Sequence, residues 1–405
     1  MPFDINDPFG WFGEWFRGLL ENLGLAPGVV EFIQSLLGAF VLGTAALVAT
    51  FFLIWAERKL VARIQDRLGP NRVGPFGIFQ TFADALKLVT KELITPTGAD
   101  IVPYNLAPLL AVMSVVGVWA VIPLAPHLTG SDINVGVLYA VSIGAVGTLG
   151  IMLAGMSSNN KYALLGAFRT VAQMLSYAVP MVLALLVPVL LAGSMGMVQI
   201  TEAQHSYWFA VLSPFAALIF FVSSIAEVGR APFDLLEAES EIVAGFNIEY
   251  SGLRFGMFFV AEFLHAFTVS ALTATLFLGG WQGPGASEYP LLGLLYFFIK
   301  TTAVYFVVIW IRGSFPRVRI DQMNSLNWKL FTPIALAGLM FTAVAEKLVT
   351  EFSLNRILVH LGSNLLLLVI VLTALRSYAR ARRREQEGLA LRTSNLQTGS
   401  SQTQP

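Results

Sequence analysis

Long apolar stretches alternate with shorter polar segments along most of this 405-residue chain. The stretches are about 20 residues long, the length that a helix needs to cross the hydrocarbon core of a bilayer. Lipid offers the backbone no hydrogen-bond partners, so such stretches must pair their own backbone groups as helices. The pattern predicts nine spans, at 32–56, 105–126, 135–156, 165–193, 208–227, 256–280, 290–312, 330–349 and 357–376.

Two segments outside the spans have the periodicity of amphipathic helices. Between 79 and 93, apolar residues recur at steps of three and four. This helix either lies on the lipid headgroups or lines an apolar cavity for a lipid-soluble molecule. Residues 1–30 carry aromatic and leucine residues at helical spacing with no basic segment before them, which predicts an interfacial helix rather than a cleaved signal.

Composition agrees with a membrane protein. Apolar residues make up 56% of the chain and charged residues 12%, whereas soluble domains carry about 25% charged residues. We therefore predict an all-α integral membrane protein, a bundle of about nine transmembrane helices with amphipathic helices and large cytoplasmic loops. The membrane domain is expected at 31–376. The tail 377–405 starts as a basic patch and ends in polar low complexity, which predicts disorder.

The basic residues are distributed unevenly between the two sides of this bundle. Of the 25 Lys and Arg residues, 21 fall in alternate connections or in the C-terminal tail. The positive-inside rule places those segments in the cytoplasm. An odd number of spans then puts the N-terminus outside and the C-terminus inside.

Acidic residues are concentrated between the fifth and sixth predicted spans. Six of the chain's 25 acids lie in 227–251, where Arg230 is the only cation: Glu227, Asp234, Glu237, Glu239, Glu241 and Glu249. Asp234 and Glu237 have the spacing of a capping box, which explains two acids at most. Carboxylates at membrane depth with few cations are suited to proton transfer, so we predict a relay or ion pathway here.

Other chemistry-bearing residues are sparse. Glu57, Glu262 and Lys300 are charges inside or beside predicted spans, for which the sequence assigns no partners. The chain has no cysteine, so it offers neither a disulfide framework nor thiolate ligands for an iron–sulfur cluster. Its four histidines are widely separated, which argues against a haem pair, and no metal site is predicted.

Several loop motifs together resemble a known family. They are ERK at 57–59, QDRLGPNRVGPFGIFQTFADALKLVTKE at 65–92, SSNNKYALLGAFRTVAQMLSY at 157–177, RAPFDLLEAESEIVAGFNIEYSG at 230–252, LFLGGWQGP at 276–284 and RGSFPRVRIDQMNSLNWK at 312–329. They resemble the membrane-arm H subunit of NADH:quinone oxidoreductase, respiratory complex I, which is homologous to mitochondrial NADH dehydrogenase subunit 1. The resemblance covers about 35–350 and leaves both ends of the chain outside it.

The resemblance implies a heel subunit in the bacterial inner membrane, between the redox arm and the antiporter-like pump subunits. Ubiquinone or menaquinone would be the substrate. FMN and the iron–sulfur clusters would belong to partner subunits. The quinone tail would enter between the first span, the amphipathic helix and the sixth span.

By motif position, the resemblance also implies roles for individual residues. The quinone cavity would use Arg58, Asp84, Lys87, Lys91, Glu92, Arg230 and Phe233. Proton coupling would use the six acids of 227–251. The interface with the redox arm would use Arg312, Arg317, Arg319 and Asp321. One departure stands out: Ala178 lies where the family usually has a glutamate, and the fourth span contains no acid to replace it.

Two other functions remain open from the sequence. Membrane subunits of membrane-bound hydrogenases and of ferredoxin- or coenzyme-linked dehydrogenases are homologous but use no quinone. The GPNRVGP loop and the amphipathic helix favour a quinone enzyme. A stand-alone ion transporter is disfavoured because the chain lacks an internal repeat and its charge lies mainly in loops.

Overall fold

The chain is described by a computed structural model that covers residues 8–126, 128–235 and 243–401. The helices in chain order are α1 Pro8–Asn22, α2 Pro27–Ile64, α3 Gln80–Thr90, α4 Ile101–Val118, α5 Gly136–Ser157, α6 Lys161–Ala192, α7 Met197–Glu202, α8 Phe209–Leu212, α9 Pro214–Val228, α10 Gly252–Phe277, α11 Pro290–Ser314, α12 Ile320–Leu326, α13 Thr332–Phe352 and α14 Arg356–Ser401.

The predicted all-α membrane fold is confirmed. Among the described residues, eight helical segments are long and apolar enough to cross a membrane, and α9 is a shorter apolar helix of 15 residues. These nine elements coincide with the nine predicted spans. The predicted amphipathic segments are also helical, as α1 and α3.

The boundaries differ from the prediction where local chemistry interrupts a helix. The fifth span is broken at Ser213, because Pro214 has no backbone N–H to donate to the preceding turn and instead begins α9. A π-helical turn at Asn327–Phe331 joins α12 to α13. The last helix continues past residue 376 into the segment for which composition predicts disorder, through a stretch rich in Ala, Arg, Glu and Gln, which favour helices.

Residues Met1–Leu339 form one compact unit, which contains two buried apolar clusters. One cluster includes Tyr104 of α4, Ala154 of α5, Ala167 of α6 and Phe258 of α10. The other packs Tyr177 of α6 against side chains of α9, α11 and α12 and against the loop after α9. Large apolar side chains that remain exposed on α2, α4 and α11 are typical of surfaces that face lipid or other subunits.

Lys300 lies within α11 yet has a clear structural role. Its ammonium donates hydrogen bonds to the carbonyls of Leu278 and Gln282, both at 2.8 Å. Leu278 is the C-cap residue that directly follows α10. A cation at the C-terminus of a helix is favourable because it satisfies unpaired carbonyls and opposes the helix dipole.

Residues Met340–Pro405 form a second compact unit. Glu346 of α13 binds two residues of α14: Arg356 at 3.0 Å, and the buried His360 at 2.8 Å through Nε2. These contacts join the two helices close to the turn between them.

Candidate functional site

A buried arginine joins two carboxylates at the end of α9. Helix α9 ends at Val228, and Gly229 takes a left-handed conformation (φ 75°) that turns the chain sharply. The next residue, Arg230, places Nη1 2.8 Å from Glu57 Oε1 and Nε 3.2 Å from Glu262 Oε1. Its guanidinium also lies over the Phe263 ring, 4.3 Å from the ring centroid.

Glu57 is the centre of this cluster. It lies on α2, and its side chain is only 5% exposed. Besides Arg230, it binds the guanidinium of Arg312 at the end of α11 and accepts a hydrogen bond from the Tyr305 hydroxyl at 3.1 Å. With Glu262, the cluster pairs two arginines with two carboxylates, so the charges of these four residues balance. Balance matters because an unpaired buried charge costs several kcal/mol.

A cavity of about 560 Å³, which we call the chamber, adjoins the cluster. Its charged lining includes Glu57, Arg58, Arg230, Glu262 and Arg312. The remaining wall comes from Val61 of α2, from the turn after α2, which adds Arg67, and from two phenylalanines of α10. The chamber therefore presents charged groups within a largely apolar bundle.

A second, mostly apolar cavity of about 160 Å³ lies between α2, α3 and α10, and we call it the crevice. Its apolar lining includes Phe51, Leu88 and Phe255, and Arg58 and Asp84 stand at its polar edge. The crevice and the chamber share two lining residues, Arg58 and Phe259, so they are adjacent.

An ion pair fixes the amphipathic helix α3 against α2. Arg58 Nη1 lies 2.5 Å from Asp84 Oδ2, and Lys87 Nζ lies 3.8 Å from Asp84 Oδ1. Partial burial alone would raise the pKa of Asp84. The hydrogen bond and charge of Arg58, with help from Gln80 and Lys87, outweigh burial and lower the pKa of this carboxyl below its usual value.

The structure brings some of the predicted site residues together. Arg58, Asp84 and Lys87 line the crevice, and Arg230 lines the chamber. Arg312, which the resemblance assigns to the redox-arm interface, reaches inward to Glu57, while the other three residues of that set are exposed.

Other predicted residues lie elsewhere. Glu249 accepts a hydrogen bond from Asn160 at 2.7 Å and lines a different, polar cavity. Phe233 is buried against the ring of Tyr177. Asp234 lines a small cavity of about 30 Å³ together with Glu262. Lys91 lies at the end of α3 and is exposed.

Of five further predicted residues, three lie outside the described part of the chain. These are Glu237, Glu239 and Glu241. Glu92 follows α3 and is exposed, and its carbonyl accepts a hydrogen bond from the Ser251 hydroxyl at 3.3 Å. Glu227 is half-buried on the last turn of α9.

No site role was predicted for four residues of the site: Glu57, Glu262, Tyr305 and Phe259. The sequence does mark the two glutamates as candidates, because charged residues within apolar stretches are often functional. Tyr305 and Phe259 gave no signal, since aromatic residues are common in spans. Among the described residues, no group of His, Asp and Glu is arranged to hold a metal ion.

The fold and the cavities define a class: a polytopic α-helical membrane protein in which a paired cluster of arginines and carboxylates lines a chamber that adjoins an apolar crevice. Residues 37–343 match a family model described as NADH dehydrogenase. The chain belongs to this family, among the H subunits of NADH-quinone oxidoreductase.

Individual relatives support the same family membership. The H subunit of NADH-quinone oxidoreductase from Dehalococcoides mccartyi strain CBDB1 is 47% identical over 298 residues, 73% of this chain and 82% of that protein. The H subunit from Rhodospirillum centenum is 45% identical over 320 residues, 78% of this chain and 94% of that protein. The H subunit from Geobacillus kaustophilus is 46% identical over 311 residues, which are 76% of this chain and 93% of that protein.

Proposed function

We propose that this chain is the heel subunit of a proton-pumping NADH:quinone oxidoreductase in the bacterial inner membrane. In this proposal it admits the quinone through the crevice, receives the headgroup in the chamber and couples its reduction to proton translocation. The observation that carries the proposal is the adjacency of the two cavities, one apolar and one charged, with Arg58 and Phe259 in both.

The crevice suits an isoprenoid tail. Its walls are one membrane span, one amphipathic helix and a second span, so it lies where a molecule dissolved in lipid could reach it. Apolar residues of α3 such as Phe82, Leu86 and Val89 are exposed and extend the apolar surface outward. A tail bound there removes apolar surface from water, which is favourable.

The chamber suits the polar headgroup. Quinone reduction adds two electrons and two protons, and the electrons would come from an iron–sulfur cluster held by partner subunits. In this chain, Arg230 Nη2 is a buried donor without a hydrogen-bond partner among the described residues. Buried unsatisfied donors are rare and often mark a place where a ligand or water binds.

Coupling follows from the charge balance of the cluster. A bound headgroup that gains negative charge would compete with Glu57 and Glu262 for the two arginines. A carboxylate that loses its cation takes up a proton more readily. The acids of 227–251 would then carry protons away from the chamber. We propose this relay role for Glu227, Asp234, Glu237, Glu239, Glu241 and Glu249.

Three predicted residues of the last cytoplasmic loop suit contacts with partner subunits. Arg317, Arg319 and Asp321 are exposed on and beside α12, and we propose that they contact the redox arm. The positive-inside rule puts this loop and the C-terminus in the cytoplasm and the N-terminus outside.

Photoaffinity labelling of the assembled complex tests the proposal. A long-tailed quinone with a photoreactive group on its headgroup should label peptides 57–70 and 259–263. The same group placed on the tail should label α3. Excess unmodified quinone should compete with both. Labelling confined to helices that line neither cavity, unaffected by competitor, would contradict the proposal and favour a subunit that binds no quinone.

A further inference from the structure

A third cavity extends from Glu262 into the bundle. It encloses about 70 Å³ between α4, α5, α6 and α10, and we call it the inner cavity. Glu262 lines both the chamber and the inner cavity. This carboxylate therefore stands at the boundary between a charged space and a space within the membrane-spanning helices.

His265 lines the inner cavity three residues after Glu262 on α10. Side chains at this spacing lie on the same face of a helix. His265 is the fourteenth residue of α10, about 20 Å along the axis from the helix start at 1.5 Å per residue. Among the described residues, Glu262 and His265 are the only titratable ones of the lining: α4 contributes Ser114, α5 glycines, α6 Met174 and α9 Val228.

The inner cavity has room for water. Its volume is about that of two water molecules at roughly 30 Å³ each. The space depends on glycines of α5. A Cβ built on Gly144 has no neighbour within 4 Å, and one on Gly147 would lie 2.7 Å from Ser114 Oγ. Polar groups from two helices, including the Ser114 hydroxyl, are present to hold such water.

We propose that His265 is a proton-relay residue, which accepts through water in the inner cavity the proton that Glu262 releases. The inference rests on the proposed function, because it assumes that protons reach Glu262 from the chamber. To the proposed function it adds the path of the protons, which runs along α10. The alternative route along α6 has no carboxyl group in the predicted span, since Ala178 stands where the family usually has glutamate.

The transfer is balanced without a further reactant. The Glu262 carboxyl group gives its proton to a water molecule, which passes a proton to the neutral imidazole of His265. The products are a carboxylate and an imidazolium ion, so the net charge of the pair does not change. Glu262 then regains a proton from the chamber, and the imidazolium releases its proton to the next acceptor, a water or a carboxylate.

The first experiment substitutes the histidine in the assembled, membrane-embedded complex. His265→Gln keeps a hydrogen-bonding side chain, but the glutamine amide neither takes up nor releases a proton at physiological pH. It should slow NADH:quinone turnover and proton uptake together by about 100-fold, the lower end of what loss of a proton-transfer group costs. His265→Glu restores a titratable group and should recover part of the rate with a changed pH profile. The control is His205→Gln, an exposed loop histidine outside the inner cavity.

A second variant tests the cavity without changing the histidine. Gly144→Leu directs an apolar side chain into the inner cavity, and its Cβ would meet no atom within 4 Å. It should reduce turnover and proton uptake like His265→Gln. Gly38→Leu is the matched control, because Gly38 of α2 also has nothing within 4 Å and does not line the cavity.

The results separate this inference from the proposed function. Wild-type turnover and proton uptake in His265→Gln, or in Gly144→Leu, would overturn the relay role. Quinone photolabelling would then still be expected in both variants, since neither residue lines the chamber or the crevice. Absence of quinone photolabelling at the two cavities of the wild-type complex would instead contradict the proposed function itself.

Discussion

A cysteine pair across the crevice provides the sharpest test of how quinone gains access. A Cβ built on Gly256 of α10 lies 3.9 Å from the Cβ of Leu88 on α3. Disulfides have Cβ–Cβ distances of about 3.5–4.5 Å. The wild-type chain has no cysteine, so the only thiols in the double variant of this chain would be the two introduced ones. We expect Leu88→Cys with Gly256→Cys to form a disulfide on mild oxidation.

The bond should block the enzyme because the crevice must widen in use. Its 160 Å³ is close to the roughly 150 Å³ of an apolar cavity that binds benzene. A quinone ring with its substituents is larger than benzene, so α3 and α10 have to separate as it passes. A disulfide prevents this separation. The residual rate with long-tailed quinone should equal the fraction of complexes that remain reduced.

The assay compares oxidised and reduced membranes containing the double variant. Mass spectrometry of peptides measures the cross-linked fraction, and NADH:quinone turnover is measured before and after treatment with dithiothreitol. NADH oxidation by a water-soluble acceptor of the redox arm reports intact assembly. Each single-cysteine variant, treated alike, controls for oxidation of partner thiols. Full cross-linking with an unchanged rate would refute the access route.

Three further substitutions test the cluster and its neighbours. Arg230→Met removes the guanidinium that binds Glu57 and Glu262 and should cost about 3–5 kcal/mol of stability, read as a lower melting temperature of the complex. Arg17→Met, which breaks an exposed pair, should cost less than about 1 kcal/mol. Equal losses in the two variants would contradict the buried role of Arg230. The pKa of Asp84 lies below its usual 3.8, so its ion pair with Arg58 is lost only at pH values below that. Asp84→Asn should therefore lower turnover equally from about pH 5 to 8, without changing the shape of the plot of turnover against pH. A change in the acidic side of that plot would contradict this prediction. Glu227→Gln should reduce turnover or pumping while assembly persists, and wild-type values of both would exclude a relay role.

Hydropathy predicted the fold well because a bilayer imposes strong rules on the chain. All nine predicted spans correspond to apolar helices, since span length and backbone pairing are fixed by the solvent. The ends were less predictable. Ser213 interrupts the fifth span through a proline effect that average hydropathy does not register, and α14 continues beyond its apolar part.

The site was predictable only in part, because its ion pairs join residues far apart in sequence. Arg230 was recognised as the only cation of the acidic window, but its partners Glu57 and Glu262 come from α2 and α10. No spacing rule connects positions 173 residues apart. Conversely, closeness in sequence does not place residues in one site. Glu249 shares the acidic window with Arg230, yet it lines a different cavity.

The bond between Lys300 and the end of α10 has a mechanical consequence. Arg230 holds α10 near its middle through Glu262, and Lys300 holds the end of the same helix. With its far end fixed, α10 resists sliding along its axis when the chamber changes charge, and tilting about that fixed end is the easier motion. A lysine within one span can thus anchor the end of a neighbouring helix.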